Sequence, residues 1–229
     1  MIFAAGLGTR LKPLTDSIPK ALVPVDGQPL LWHVIMRLKA AGFERIVVNV
    51  HHFAQQIVDY LGTHQSFGLD ILISDETSEL LETGGGIKKA RPLFDPSSPV
   101  LIHNVDILSN LDLDAVCAAG DSVLVVSERK TKRYLQFDED LRLVGWKNIE
   151  TGQVKGREGR PLAFSGIHLF SPALFPLMDA WPDRFPIMDF YLSVCADHPI
   201  MGFEARDLRL MDVGKLDTLQ EAENFIKTL

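Results

Sequence analysis

The strongest constraint on the fold is an alternation. Over the first half of the chain, short β-branched or apolar runs take turns with segments of helical period. Met1 to Ala5 is an apolar run stopped by a loop rich in Gly, Pro, Thr and Lys, and reads as a buried strand feeding that loop. From Pro29, the positions Leu30, Leu31, Val34, Ile35 and Leu38 recur at helical spacing, and Gly42 stands where a helix would end. Arg45 to Val50 reads as the next strand. Ile57, Val58 and Leu61 mark a helix ending at Gly62. Leu69 to Ile73 reads as a strand, Gly86 to Arg91 as a helix start, and Val100 to His103 as a strand running into Asn104, Val105 and Asp106. Such alternation predicts an α/β fold with a Rossmann-like, mainly parallel mixed sheet flanked by helices.

After about residue 111 the texture changes. Strands are expected at Ser122 to Ser127, Tyr134 to Phe137, Leu141 to Trp146 and Ala163 to Phe170, close enough together that hairpins replace crossovers. Helical patterns return at Pro172 to Ala180, Ile187 to Ala196 and Leu216 to Ile226, with a strand-like Arg209 to Asp212 before the last. Since no linker, repeat or low-complexity segment divides the 229 residues, a single domain is expected over 1–229. The change of texture divides it into residues 1 to about 110 and about 111 to 229.

Charge narrows the ligands. With 23 Lys+Arg against 30 Asp+Glu, the net charge of -7 argues against nucleic-acid partners and anionic membranes. An anionic ligand therefore needs a local device. The chain holds two cysteines, Cys117 and Cys195, in apolar stretches without CxxC spacing, so buried thiols are expected rather than a disulfide or zinc site. MIFAAG is too short for a signal peptide, and no apolar run approaches the ~20 residues of a membrane span. A cytoplasmic protein, monomer or homodimer, is expected.

The loop GLGTRLKPLTDSIPKALVPV, Gly6 to Val25, is the local device. Gly6 and Gly8 let backbone amides approach a phosphate closely, and Arg10, Lys12 and Lys20 add charge. A dinucleotide fingerprint would need a third glycine opening a helix, and a Walker loop would need Gly before Lys and Ser/Thr; both are missing. Asp106 ends an apolar strand at its carboxyl end, where open α/β sheets bind ligands. His51 and His52 end another strand but have no third ligand at metal spacing, and read as helix-entry residues.

GLGTRLKPLT followed by PKALVPV resembles the signature of the nucleotide-sugar pyrophosphorylases, the sugar-1-phosphate nucleotidyltransferases. The likeness continues through ETGGGI (82–87), HNVD (103–106), FSGI (164–167) and MDVGK (211–215), nearly the whole chain. The resemblance implies a Mg²⁺-dependent enzyme whose partners are a nucleoside triphosphate and a sugar 1-phosphate, with residues 1 to about 110 as its nucleotide-binding half and about 111 to 229 as its sugar-phosphate-binding half. It implies that Arg10 stabilises the leaving pyrophosphate and that Lys20 contacts the reacting phosphates. Ala5, Gly6, Gly8 and Thr9, with Gly84 and Gly85 from a second Gly-rich turn, would hold the nucleotide. Asn104, Lys147, Ser165 and Gly166 would hold the sugar phosphate, and Asp106 with Asp212 the metal. Two departures stand out: Val105 replaces the usual glycine before the first aspartate, and Trp146 replaces the acidic residue usual before the lysine. The chain ends soon after the second aspartate motif, so no appended β-helix or regulatory domain is expected.

Within the family, the length and LETGGGI most resemble the N-acetylmuramate 1-phosphate uridylyltransferases of cell-wall recycling, with UTP as donor; mannose-1-phosphate guanylyltransferases come next. A reading of another class, a catalytically silent nucleotide-binding sensor on the same fold, is disfavoured because Arg10, Lys20 and both aspartates are present.

Overall fold

The apolar start of the chain becomes a short central strand, β1 (Ile2–Phe3), in the computed structural model, which describes residues 1–229. The loop that follows folds into 3₁₀ turns at Thr9–Leu11, Leu14–Asp16 and Lys20–Leu22, then closes on the small ladder β2 (Pro24–Val25) and β3 (Gln28–Pro29). Helix α1 (Leu30–Ala40) follows, and β4 (Arg45–Val50), α2 (Ala54–Thr63), β5 (Asp70–Asp75), α3 (Glu82–Ala90) and β6 (Val100–Asn104) complete the alternating half. Next come β7 (Ile107–Ser109), α4 (Leu113–Ala118), β8 (Val123–Ser127), β9 (Arg133–Phe137), β10 (Leu143–Asn148), β11 (Val154–Gly156) and β12 (Arg160–Phe170). The chain finishes with α5 (Ile187–Val194), β13 (Met201–Glu204), β14 (Leu210–Asp212) and α6 (Asp217–Ile226).

One ten-stranded mixed sheet joins both halves in the order β11-β10-β9-β12-β6-β1-β4-β5, with β8 on β12 and β13 on β8. From β6 to β5 the strands are parallel; β12 enters antiparallel to β6 and begins the antiparallel extension through β9, β10 and β11. The central strands are apolar on both faces because both faces are covered. Ile46, Val48 and Val50 of β4 join the core beneath α1, α2 and α6, while Val47 joins the core beneath α3 and α5. Each fully buried Leu or Ile contributes roughly 1.5–3 kcal/mol. Helix α1 ends as its sequence dictates, with Gly42 in the left-handed region at φ 81°.

Several expectations are corrected. The glycines of ETGGGI form no turn: they lie inside α3, which starts at Glu82, four residues before the expected Gly86. Pro172–Ala180 is a 3₁₀ helix, because Pro176 inside it cannot donate an α-helical hydrogen bond. Cys117 is exposed and Cys195 only partly buried, since α4 turns Leu113 and Val116 inward and leaves Cys117 outside. The segments β7, α4, β11 and β13 are too short to announce themselves by periodicity. No helix is long and apolar enough to cross a membrane.

Candidate active site

The carboxyl ends of β1, β4, β5 and β6 open into a cavity of about 260 Å³. Phe3, Ala4, Ala5 and Gly6 form one edge, and Asn104, Val105 and Asp106 another, with Lys20, Asn49, Glu76 and Thr83 between. The floor is fixed by hydrogen bonds. Asn49, at the end of β4, accepts from the amides of Ala4 at 2.7 Å and Ala5 at 3.3 Å, and its own amide donates to Glu76 Oε1 at 2.8 Å. Glu76 Oε2 accepts from the Leu81 amide at 3.2 Å. Burial raises the Glu76 carboxyl above its usual range, against these stabilising donors.

Gly6 borders this cavity, and no protein atom lies within 4 Å of where its Cβ would stand. The space a side chain would take belongs to the cavity. Gly8 serves the loop: at φ 63° its Cβ would meet the Thr15 side chain at 2.9 Å and Lys20 Cβ at 3.0 Å. The Thr15 hydroxyl donates to the Gly8 carbonyl at 2.8 Å. The turn is thereby clamped over Lys20, a lysine only 8% exposed, whose ammonium pairs with Asp106. Lysine is rarely buried unless paired.

The two motif aspartates meet through a ladder short enough to escape sequence reading. β14 pairs antiparallel with β7 so that Asp212 lies opposite Ile107, and the Val213 amide donates to the Asp106 carbonyl at 2.8 Å. Asp212 is exposed, yet crowding by protein atoms raises its carboxyl, and the negative charge of Asp106 adds to the rise; Lys20, Arg10 and Arg129 oppose it. Arg10 and Asp212 both crowd Gly214, where a Cβ would come within 2.7 Å of either side chain. Val105 causes no strain, since it is absent from the residues with positive φ.

A second cleft, about 770 Å³, is lined in part by Arg10 and Asp212, and Asp212 feels the charges of Asp106 and Lys20 in the wall of the first. Its floor is the antiparallel extension. Trp146 of β10 lies opposite Leu135 of β9 and Lys155 of β11, and Asn148 lies opposite Arg133, so these side chains share one face. Phe164 of β12 and the α5 residues Met188, Asp189 and Leu192 close it.

The expected site residues divide accordingly. Ala5, Gly6, Lys20, Asn104 and Asp106 line the first cavity, and Arg10 and Asp212 the second. Thr9 is exposed in the loop's first 3₁₀ turn and lines neither. Gly84 and Gly85 are placed elsewhere: their amides point at the Phe185 carbonyl, at 2.8 and 3.2 Å, and they pack against the 183–185 segment. Lys147 is on the opposite face of β10 from the cleft, paired with Glu158 at 2.7 Å, because alternate strand residues face opposite ways. The lysine on the cleft floor is Lys155. Ser165 is buried, and Gly166 packs under Asn104, to whose Nδ2 a Cβ would come within 2.7 Å; Phe164 is the residue of that motif that lines the cleft.

Sequence reasoning missed Asn49, Glu76 and Thr83. Asn49 and Glu76 carried a usable signal, polar residues at or just past the carboxyl ends of apolar strands. Lys155 carried none.

Several known proteins are similar to this chain over most of its length. The nucleotidyl transferase family model matches residues 1–122. The N-acetylmuramate alpha-1-phosphate uridylyltransferase of Neisseria meningitidis is 34% identical, covering 97% of this chain and 96% of its own. That of Caulobacter vibrioides is 36% identical over 88% of this chain and 86% of its own. Among solved structures, HddC from Yersinia pseudotuberculosis complexed with GMP-PN superposes with a TM-score of 0.77 at 25% identity, covering 98% of this chain and 97% of that one.

Proposed function

The chain belongs to the nucleotidyl transferase family, and on that premise we propose that it joins UTP to N-acetylmuramate 1-phosphate in a Mg²⁺-dependent reaction, releasing pyrophosphate. That it is a sugar-1-phosphate nucleotidyltransferase follows from its family and its relatives. The substrate pair and the metal are this proposal's own content. The observation that carries it is the meeting of Lys20 and Asp106 of the first cavity with Asp212 and Arg10 of the second.

In the proposed reaction the nucleotide lies in the first cavity, its phosphates against the Gly6–Arg10 loop and Lys20. The acceptor lies in the second. An oxygen of the sugar phosphate attacks the α-phosphorus in line; a new P–O bond forms there as the bond to the departing pyrophosphate breaks. The attacking group is already an anion, so no side-chain nucleophile or base is needed. The difficulty is the concentration of negative charge, which preorganised cations relieve. Lys20 is held ready by Asp106 and would exchange that partner for phosphate oxygens. Arg10 has no carboxylate within ion-pair reach, leaving its guanidinium for the leaving pyrophosphate.

Asp106 and Asp212 offer two hard oxygen donors, the charge of Asp106 adding to the rise of the Asp212 carboxyl, and a site with one or two carboxylates completed by phosphates and water suits Mg²⁺. When bound, Mg²⁺ would neutralise phosphate charge at the reacting centre. Residues 1–229 are read as one catalytic unit, with the nucleotide half before about residue 110 and the acceptor half after it.

Pyrophosphate release, measured across the four triphosphates and a panel of sugar 1-phosphates with and without chelator, tests the proposal. UTP with N-acetylmuramate 1-phosphate is expected to be fastest, and excess chelator to abolish turnover. A tenfold preference for GTP with mannose 1-phosphate would replace the substrate assignment, and full turnover in chelator would remove the metal.

A further inference from the structure

The second cleft has more uncommitted positive charge than one phosphate requires. Lys132 is held by Glu150 at 2.6 Å, Lys155 by Asp189 at 2.5 Å, and Arg129 donates to the Phe164 carbonyl at 2.8 Å. The guanidinium groups of Arg10 and Arg133 alone have neither an ion-pair partner nor a side-chain hydrogen bond, although both line the cleft. Arg10 acts on Asp212, as does Arg129, and so belongs to the phosphate-transfer end. Arg133 has no part in that cluster. It projects from β9 opposite Asn148, on the floor shared with Trp146.

Trp146 is the second observation. The indole presents an apolar platform where the family pattern carries an acidic residue, and the register puts Lys155 beside it, with the ammonium 5.7 Å from the ring centroid. An acidic side chain here would repel an anionic substituent on the sugar. An indole flanked by Lys155, with Arg133 two residues from Leu135 on the neighbouring strand, does the reverse.

We propose that Arg133 and Lys155, on either side of Trp146, form a carboxylate-reading subsite, so that the preferred acceptor is a sugar 1-phosphate bearing a carboxylate substituent. The sugar ring lies on the indole. Arg133 takes the carboxylate through its planar fork, which matches two oxygens at once, while Lys155 shares its charge between that carboxylate and Asp189. This inference rests on the reading of the second cleft as the sugar 1-phosphate site.

N-acetylmuramate 1-phosphate and N-acetylglucosamine 1-phosphate differ only by the lactyl ether and its carboxylate, and both are tested with UTP and Mg²⁺. The expected kcat/KM favours the carboxylated acceptor by tenfold or more. Arg133→Gln lowers that ratio by roughly tenfold or more, chiefly through KM, the scale of one charge-assisted hydrogen bond. Arg133→Lys restores part of it. An unchanged ratio in Arg133→Gln, or a native enzyme that uses both acceptors equally, overturns the subsite while leaving nucleotidyl transfer standing. Absence of pyrophosphate release from every acceptor and triphosphate overturns the underlying reading, and the subsite with it.

Discussion

Lys20 and Asp212 separate the role proposed for a residue in the reaction from what it does for the fold. Lys20 is buried and paired with Asp106, so its ammonium is already desolvated and aimed. Lys20→Ala is expected to lower turnover by roughly 10²-fold or more, the scale of losing one preorganised donor; a loss of tenfold or less would place it at the periphery. Asp212 behaves oppositely toward stability. Its carboxyl is raised by crowding and then by Asp106, so the folded protein binds that proton more tightly than the unfolded chain. The stability this confers is present at low pH and lost as pH rises through the raised value, leaving the ionised group a net cost at neutrality. Asp212→Asn is therefore expected to abolish most activity while leaving the melting temperature unchanged or higher. A collapsed thermal transition would make Asp212 a structural residue.

At the scale of elements, α3 shows how a helix can contain the wrong residues for a helix. Three consecutive glycines carry a propensity cost of about 1 kcal/mol each relative to alanine. They are tolerated because α3 lies against the 183–185 segment more closely than any side chain permits. A Cβ on Gly85 would stand 2.0 Å from the Asp183 carbonyl oxygen, and one on Gly84 2.3 Å from the Phe185 ring. Gly85→Ala should lower stability by roughly 1–3 kcal/mol despite the better helix former, as overpacking does. Thermal unfolding decides this, and a raised melting temperature would refute the packing account. The contact also ties α3, which borders the first cavity through Glu82 and Thr83, to α5, which borders the second cleft; the Ile187 amide donates to Thr83 Oγ1 at 2.9 Å.

For the whole molecule, acid stability is set in the core. His103 and His168 are both buried in the central sheet, on β6 and β12, and burial pushes their imidazoles down to about 4 and about 3. Both fold as neutral rings, whereas in the unfolded chain they take up a proton near pH 6.5. The unfolded state thus binds more protons between those values, and stability falls as pH drops below about 6.5. Each histidine withdraws about 2 kcal/mol by pH 5. His168→Phe should flatten the fall in melting temperature between pH 7 and pH 5; an identical slope in the variant would assign the acid sensitivity elsewhere. The same division between local and distant effects explains what was legible in the sequence. Periodicity and β-branching marked β4 and α1 closely, because a strand covered on both faces and a helix with one apolar stripe leave patterns in consecutive residues. The Gly6–Val25 loop and the two aspartates stood out as candidates for a similar reason: glycines beside cations, and carboxylates at strand ends, are local patterns of residue type. What the sequence could not determine was which side chains meet. Lys147 and Lys155 are equivalent as letters, and only the pairing of β10 with β9 and β11 turns one away from the cleft and the other into it. The glycines of α3 read as a ligand-binding turn until the 183–185 segment arrives against them, and Asp106 and Asp212 become neighbours only through the β7–β14 ladder. These are contacts between residues distant in the chain. They are decided by register and close packing, which no local pattern of residue types encodes.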